Sequence, residues 1–182
     1  MAKDLGGIDD PLRQWLEVQP IFFVSTAPRG DEGLLNCSPK GLQGSFRVLD
    51  EQTVAFLDLT GSGIETIAHL RENGRIVLMF CAFDGRPRIV RMHGIGRAIL
   101  PESSEFSELI HLFSEHLGVR SIIRVAIRRT SESCGYGVPQ MSYSADRDVL
   151  DLDHQKRGAA GLASYRAEVN RRSLDGLPAL AT

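Results

Sequence analysis

Two short polar stretches in this chain carry residue types that gather on anions. They are Asn36-Cys37-Ser38-Pro39-Lys40-Gly41 and Leu59-Thr60-Gly61-Ser62-Gly63, the latter followed by Glu65 and Thr66. In the first, the apolar Leu34-Leu35 run gives way to a basic exit that a plain strand reversal does not need, since Asn-Gly or Asp-Gly would serve. Pro39 fixes φ and removes a backbone donor, Gly41 permits close backbone approach, and Lys40 sets a cation between them. The second stretch opens a helix, whose N-terminus offers unpaired N–H groups and the positive end of a dipole. Hydroxyls of Thr60, Ser62 and Thr66 add donors. A solvated lysine and ordinary Ser/Thr caps account for each stretch taken alone. Taken together near one sheet edge, they point to an anionic cofactor.

Other chemistries find less support. No G-x-S-x-G elbow is present. The five histidines, His69, His93, His111, His116 and His154, are scattered and form no H-E-x-x-H pair, so they read as core or solvated side chains and no metal site is expected. Neither Gly61-Ser62-Gly63 nor Gly94-Ile95-Gly96 completes a phosphate loop or a dinucleotide fingerprint. No residue is singled out as a catalytic acid or base. Arg86, Arg88 and Arg91 read as a solvated edge face, with a dimer or ligand contact as the alternative. In Cys134-Gly135-Tyr136-Gly137-Val138-Pro139 an aromatic sits between glycines, as a surface loop or a stacking platform.

The chain has 182 residues, 42% hydrophobic and 24% charged, enough for one domain with a full core. Its net charge of −2 gives no general attraction to nucleic acid. The three cysteines, Cys37, Cys81 and Cys134, form no C-x-x-C pair and read as reduced thiols rather than a disulfide framework or zinc site. Residues 1–10 hold Asp4, Asp9 and Asp10 and no apolar core of a signal peptide. No segment approaches the roughly 20 apolar residues of a membrane span. A soluble, cytoplasmic protein is expected.

The elements that must position the two stretches follow from periodicity. Asp10 as N-cap and Pro11 start a short amphipathic helix that docks Trp15 inward and ends at Pro20. Ile21–Thr26 and Leu34–Ser38 read as a hairpin, with 39–45 as a loop and Asp50-Glu51-Gln52 as a turn. Thr53–Leu59 is a strand, with Val54, Phe56 and Asp58 alternating against Ala55, Leu57 and Leu59. A helix spans about 64–73 and stops at Asn73-Gly74. Arg75–Phe83 and Arg86–Leu100 are strands around Asp84-Gly85, the second bent or bulged at Gly94 and Gly96. A helical stripe covers 102–117, Ser121–Arg129 returns to strand, and two helices are expected near 146–156 and 160–170. Six strands with short connections force antiparallel neighbours. The expected architecture is mainly β: a six-stranded antiparallel split β-barrel with peripheral helices, one domain over 1–182, with 131–182 as a loop- and helix-rich extension.

The order of Asn36-Cys37-Ser38-Pro39-Lys40-Gly41, Leu59-Thr60-Gly61-Ser62, the helix, Gly74-Arg75-Ile76-Val77-Leu78-Met79-Phe80 and Arg88-Ile89-Val90-Arg91 before Gly94 resembles the pyridoxamine 5'-phosphate oxidase-like flavoproteins. The resemblance covers roughly residues 15–130. It implies a split barrel that binds FMN at a homodimer interface, and an oxidoreductase passing hydride at flavin N5 with NAD(P)H or another small molecule. It implies that Asn36, Cys37 and Ser38 line the isoalloxazine edge through backbone groups, and that Lys40 lies by the pyrimidine side or the substrate pocket. Thr60, Ser62, Glu65 and Thr66 would surround the ribityl phosphate, with Leu59 and Gly61 of the same motif completing the set. Three positions depart from the pattern. Ile89 stands where authentic pyridoxamine-phosphate oxidases carry a flavin-binding glutamine, their substrate-gripping Tyr-Arg-Ser set has no counterpart, and Glu65 replaces a basic phosphate ligand. That specific oxidase activity is therefore not implied. A deazaflavin-dependent reductase and a non-enzymatic flavin- or haem-binding protein are the alternatives.

Overall fold

The computed structural model describes residues 3–180. In chain order the elements are β1 (Lys3–Asp4), α1 (Asp10–Glu17), β2 (Phe22–Thr26), β3 (Asn36–Lys40), β4 (Phe46–Asp50) and β5 (Thr53–Leu59). They continue with α2 (Glu65–Asn73), β6 (Arg75–Cys81), β7 (Ile89–Ile99), α3 (Ser104–Leu109), β8 (Val119–Ser133) and α4 (Val149–Val169). All pairings are antiparallel. The six expected strands are present, and β1 and β4 bring the sheet to eight, in the order β3-β2-β6-β7-β8-β5-β4 with β1 on β8.

Side-chain packing shows that this sheet is curled. β2 is second and β4 seventh in that order, so in a flat sheet five spacings of about 4.8 Å would hold them roughly 24 Å apart. Instead the rings of Phe22 and Phe46 lie 5.3 Å apart, and both pack on Phe80 at 5.0 Å. The connection 41–45 ties the ends together, running from Lys40 of one edge strand to Phe46 of the other. The interior holds Val24, Phe56, Leu78, Val90, Met92, Ile123 and Val125. A second apolar layer, Ala55, Leu57, Ile99, Phe113 and Ile122, lies under α3. β5 thus buries both faces, Val54 and Phe56 inward and Ala55 and Leu57 outward. Asp58 shares the inward set and is itself only 1% exposed.

The bend expected at Gly94 is a bulge with a steric cause. The β7–β8 register shifts between His93 and Gly94, and a Cβ on Gly94 would stand 2.4 Å from the Ala126 carbonyl. Gly74 ends α2 in the left-handed conformation, φ 72°, as its stop signal requires.

Several boundaries differ from the sequence reading. Asp9, not Asp10, caps α1, accepting from the Leu12 N–H; Trp15 is half-buried against the core. β3 begins at Asn36, so Leu34 and Leu35 belong to the preceding loop, while Pro39 and Lys40 are in the strand. The β6–β7 connection spans 82–88. Within it Arg88 pairs with Glu132 and stacks 4.5 Å from the Trp15 ring centroid. The stripe over 102–117 forms only α3 and a 3₁₀ turn, Ile110–Leu112. The two C-terminal helices are one run broken at Gly158 (φ 62°, ψ 178°).

Candidate functional site

Strand alternation sorts the first polar stretch. Asn36, Ser38 and Lys40 share the half-buried face of β3, while Cys37 and Pro39 are exposed on the other. Asn36 Nδ2 donates to Thr26 Oγ1 (3.1 Å) and Thr66 Oγ1 (3.2 Å), and Ser38 Oγ donates to Asn36 Oδ1 at 2.7 Å. Thr26 Oγ1 lies 2.9 Å from His69 Nδ1. β3, β2 and α2 are thereby stitched by a network of polar side chains.

Lys40 connects this face to a charged cluster at the ends of β5 and β8. Its Nζ lies 3.9 Å from Asp58 Oδ1. Asp58 accepts two bonds from Arg120, Nε to Oδ2 (2.6 Å) and Nη2 to Oδ1 (3.1 Å), and a third from Ser121 Oγ at 3.1 Å. The paired geometry is the strong form of such a contact. Burial pulls the Lys40 ammonium below its ordinary value; Asp58 opposes that shift, Arg120 adds to it, and Glu65 opposes it.

Arg120 also reaches the second stretch. Its Nη2 donates to the Gly63 carbonyl at 2.6 Å and its Nη1 to the Gly61 carbonyl at 3.3 Å. Asn170, at the end of α4, accepts from Arg120 (2.9 Å) and donates to the Gly61 carbonyl (2.9 Å). Thr60 is held by three groups: Arg166 Nε donates to its Oγ1, that hydroxyl donates to the Gly118 carbonyl, and His154 Nε2 donates to its carbonyl. Burial, then the Arg120 charge, pull the Arg166 guanidinium below its ordinary value.

Glu65 stands at the start of α2, where its Oε2 accepts from the Ile64 N–H (3.0 Å) and its Oε1 from the Leu174 N–H (3.3 Å). Leu34 N–H donates to Asp175 (2.9 Å), so the segment after α4 lies across the start of both stretches. The sequence-derived residues Asn36, Ser38, Lys40, Thr60, Gly61, Glu65 and Thr66 therefore converge, joined through Asp58 and Arg120. Leu59 precedes the turn, Ser62 is exposed within it, and Cys37 faces away. Sequence reading missed Asp58, Arg120, His154, Arg166 and Asn170. Only Asp58 left a signal, a carboxylate on the core-facing phase of an apolar strand. Cavities of about 500, 380 and 330 Å³ are lined mainly by residues within 3–12, 82–88 and 132–140. They share no residue with this set.

An antiparallel sheet curled around an aromatic core, with this polar cluster at its rim, defines a split-barrel protein of the class expected from the sequence. The family profile described as "Pyridoxamine 5'-phosphate oxidase" matches residues 8–157. The "Pyridoxamine 5'-phosphate oxidase family protein ustO" of Aspergillus flavus is 40% identical over 190 residues, covering 95% of this chain and 76% of that protein. The chain belongs to the pyridoxamine 5'-phosphate oxidase family. Among solved structures, HupZ of Group A Streptococcus superposes with a TM-score of 0.54 at 16% identity, covering 74% of this chain and 99% of that one. A conserved protein of unknown function from Corynebacterium diphtheriae gives 0.50 at 16% identity, covering 72% and 95%. Both likenesses are of fold. Among the described residues no helix is long and apolar enough to cross a membrane, and no group of His, Cys, Asp and Glu is arranged to hold a metal ion.

Proposed function

We propose that this protein is a flavin-dependent oxidoreductase that takes FMN at the face joining β3 to the Thr60–Gly63 turn. Family membership supports the cofactor class, and one observation carries the placement. Lys40 is a half-buried cation whose only charged partner within 4 Å among the described residues, Asp58 at 3.9 Å, is already engaged by Arg120 and Ser121. It is thus left free to face an electron-rich ligand edge.

The residues present fit such a ligand. The Asn36–Lys40 face is fixed from below by Thr26 and Thr66, so it is preorganised. Leu59, Thr60, Gly61 and Ser62 border the phosphate end. Cys37 takes part through its backbone, its side chain being turned outward. A bound flavin supplies the redox chemistry, accepting a hydride and its two electrons from NAD(P)H or another small donor. Lys40 holds positive charge beside the ring, which favours its reduced form. Glu65 works against a phosphate dianion by repulsion, moderated by the two N–H groups it accepts.

In this reading the chain acts as one domain, with 131–182 as its closing element, and a second copy completes the site as a homodimer. Three unpaired cysteines agree with a reducing, cytoplasmic setting. The test is the absorption spectrum of the purified protein followed by titration with FMN and a deazaflavin. Bound FMN with an altered spectrum supports the reading; a colourless protein that neither binds nor quenches FMN ends it. Lys40→Ala should change the bound spectrum or turnover more than it weakens FMN. A variant with lower affinity but unchanged spectrum and rate would remove Lys40 from the ring.

A further inference from the structure

Gly61 and Gly63 make the cofactor turn intrinsically loose, because without Cβ atoms a peptide plane there rotates at little steric cost. The fold answers by gripping its carbonyls from one side. His154 Nε2 holds the Thr60 carbonyl (2.8 Å), Asn170 Nδ2 and Arg120 hold that of Gly61 (2.9 and 3.3 Å), and Arg120 holds that of Gly63 (2.6 Å). These three side chains are buried, with Asn170 at 0%, His154 at 1% and Arg120 at 4% exposure. The His154 ring packs directly on Gly118, where an added Cβ would fall 2.0 Å from it.

A trans peptide points its C=O and the next N–H in opposite directions, and among the described residues every peptide bond is trans. Fixing the Thr60 and Gly61 carbonyls toward α4 therefore turns the N–H groups of Gly61 and Ser62 away from it. Among the described residues neither N–H has a protein acceptor. Two successive free N–H groups on one side of a turn form a concavity for an anion.

We infer that Asn170, directly and through Arg120, is a positioning residue that holds the Gly61 and Ser62 N–H groups toward an anionic ligand. The inference rests on the flavin reading insofar as that anion is the FMN phosphate. Arg120 and His154 lie within the family match, which ends at residue 157, and Asn170 lies beyond it.

The test uses the full chain and the variants Asn170→Ala and Asn170→Asp, the latter keeping an acceptor for Arg120 while losing the donor to Gly61. FMN and riboflavin, which lacks the phosphate, are titrated by fluorescence. The ¹⁵N order parameters of Gly61 and Ser62 are measured without ligand. Asn170→Ala is expected to weaken FMN roughly tenfold or more, the scale of hydrogen bonds to a charged group, with riboflavin changed less than about threefold. The order parameters should fall from the rigid range near 0.85 toward about 0.6. Asn170→Asp should show the same split between the two flavins. Equal weakening of both flavins overturns the phosphate assignment, and unchanged order parameters overturn the positioning role. If the unsubstituted protein binds neither flavin, the flavin reading fails and the order parameters alone decide the positioning claim.

Discussion

The two halves of the candidate site are built from different materials. On the β3 side, Asn36, Ser38, Thr26 and Thr66 form a neutral network across one hairpin and the adjoining helix. On the β5 side, Asp58, Arg120 and Asn170 form a buried network that includes full charges. A neutral hydrogen bond contributes about 0.5–1.5 kcal/mol net, and removing one partner leaves the other unsatisfied. Stripping one partner from a buried ion pair costs about 3–5 kcal/mol, because the remaining charge stays desolvated. Both halves are held in place, but the β3 face is the more weakly held surface and the β5 cluster the more strongly held frame.

Arg120→Ala should have the largest effect. It strands the Asp58 carboxylate and releases Asn170 and two turn carbonyls, so chemical denaturation should show a loss of about 3–5 kcal/mol. A loss below about 1 kcal/mol would remove the distinction between frame and surface. Asn36→Ala comes next, at about 1–3 kcal/mol by the same measurement, because Thr26, Thr66 and Ser38 keep other routes to partners or water. If it matches Arg120→Ala, the β3 side is as strongly held as the other.

Glu65→Gln keeps one acceptor oxygen, for the Ile64 N–H, and gives up the longer, exposed bond from the Leu174 N–H (3.3 Å) while deleting a charge beside the expected phosphate. FMN affinity should rise severalfold, riboflavin affinity and melting temperature staying nearly constant. Equal gains for both flavins would place the phosphate elsewhere. The smallest effect is that of Lys40→Met. Burial lowers the folded-state pKa of Lys40 from its ordinary 10.5, so the folded chain gives up this proton more readily than the unfolded one. Below the folded pKa the buried charge is a constant penalty, and above the unfolded value both states are neutral and the penalty disappears. Melting temperature should therefore increase in the variant at pH 7, with a gain that shrinks as pH approaches the ordinary lysine range. A gain that grows with pH would reverse the assigned direction.

The contrast also explains what the sequence revealed. The Asn36–Lys40 strand, the Thr60–Gly63 turn and the helix after it are local patterns, legible in a few neighbouring residues. Their antiparallel setting followed from short connections. Arg120 and Asn170 were not legible, because their roles depend on which distant strand end and helix end meet at Gly61. The β4 strand was missed because Phe46–Asp50 is short and sits between a glycine-rich loop and a turn. Phe46 becomes meaningful only when the curled sheet brings it to Phe22.

The reach of Arg120 and Asn170 back to Gly61 has a consequence during synthesis. Ribosomes deliver the N-terminal strands first, at about 5–20 residues per second. β5 and β7 wait for β8 before they are paired with it, and the Gly61 carbonyl waits longer, for a side chain at position 170. A nascent chain holding the barrel but lacking the end of α4 would present a slack glycine turn. Under the proposed reading, loading of an anionic cofactor on that turn would wait until the side chain at position 170 has left the exit tunnel.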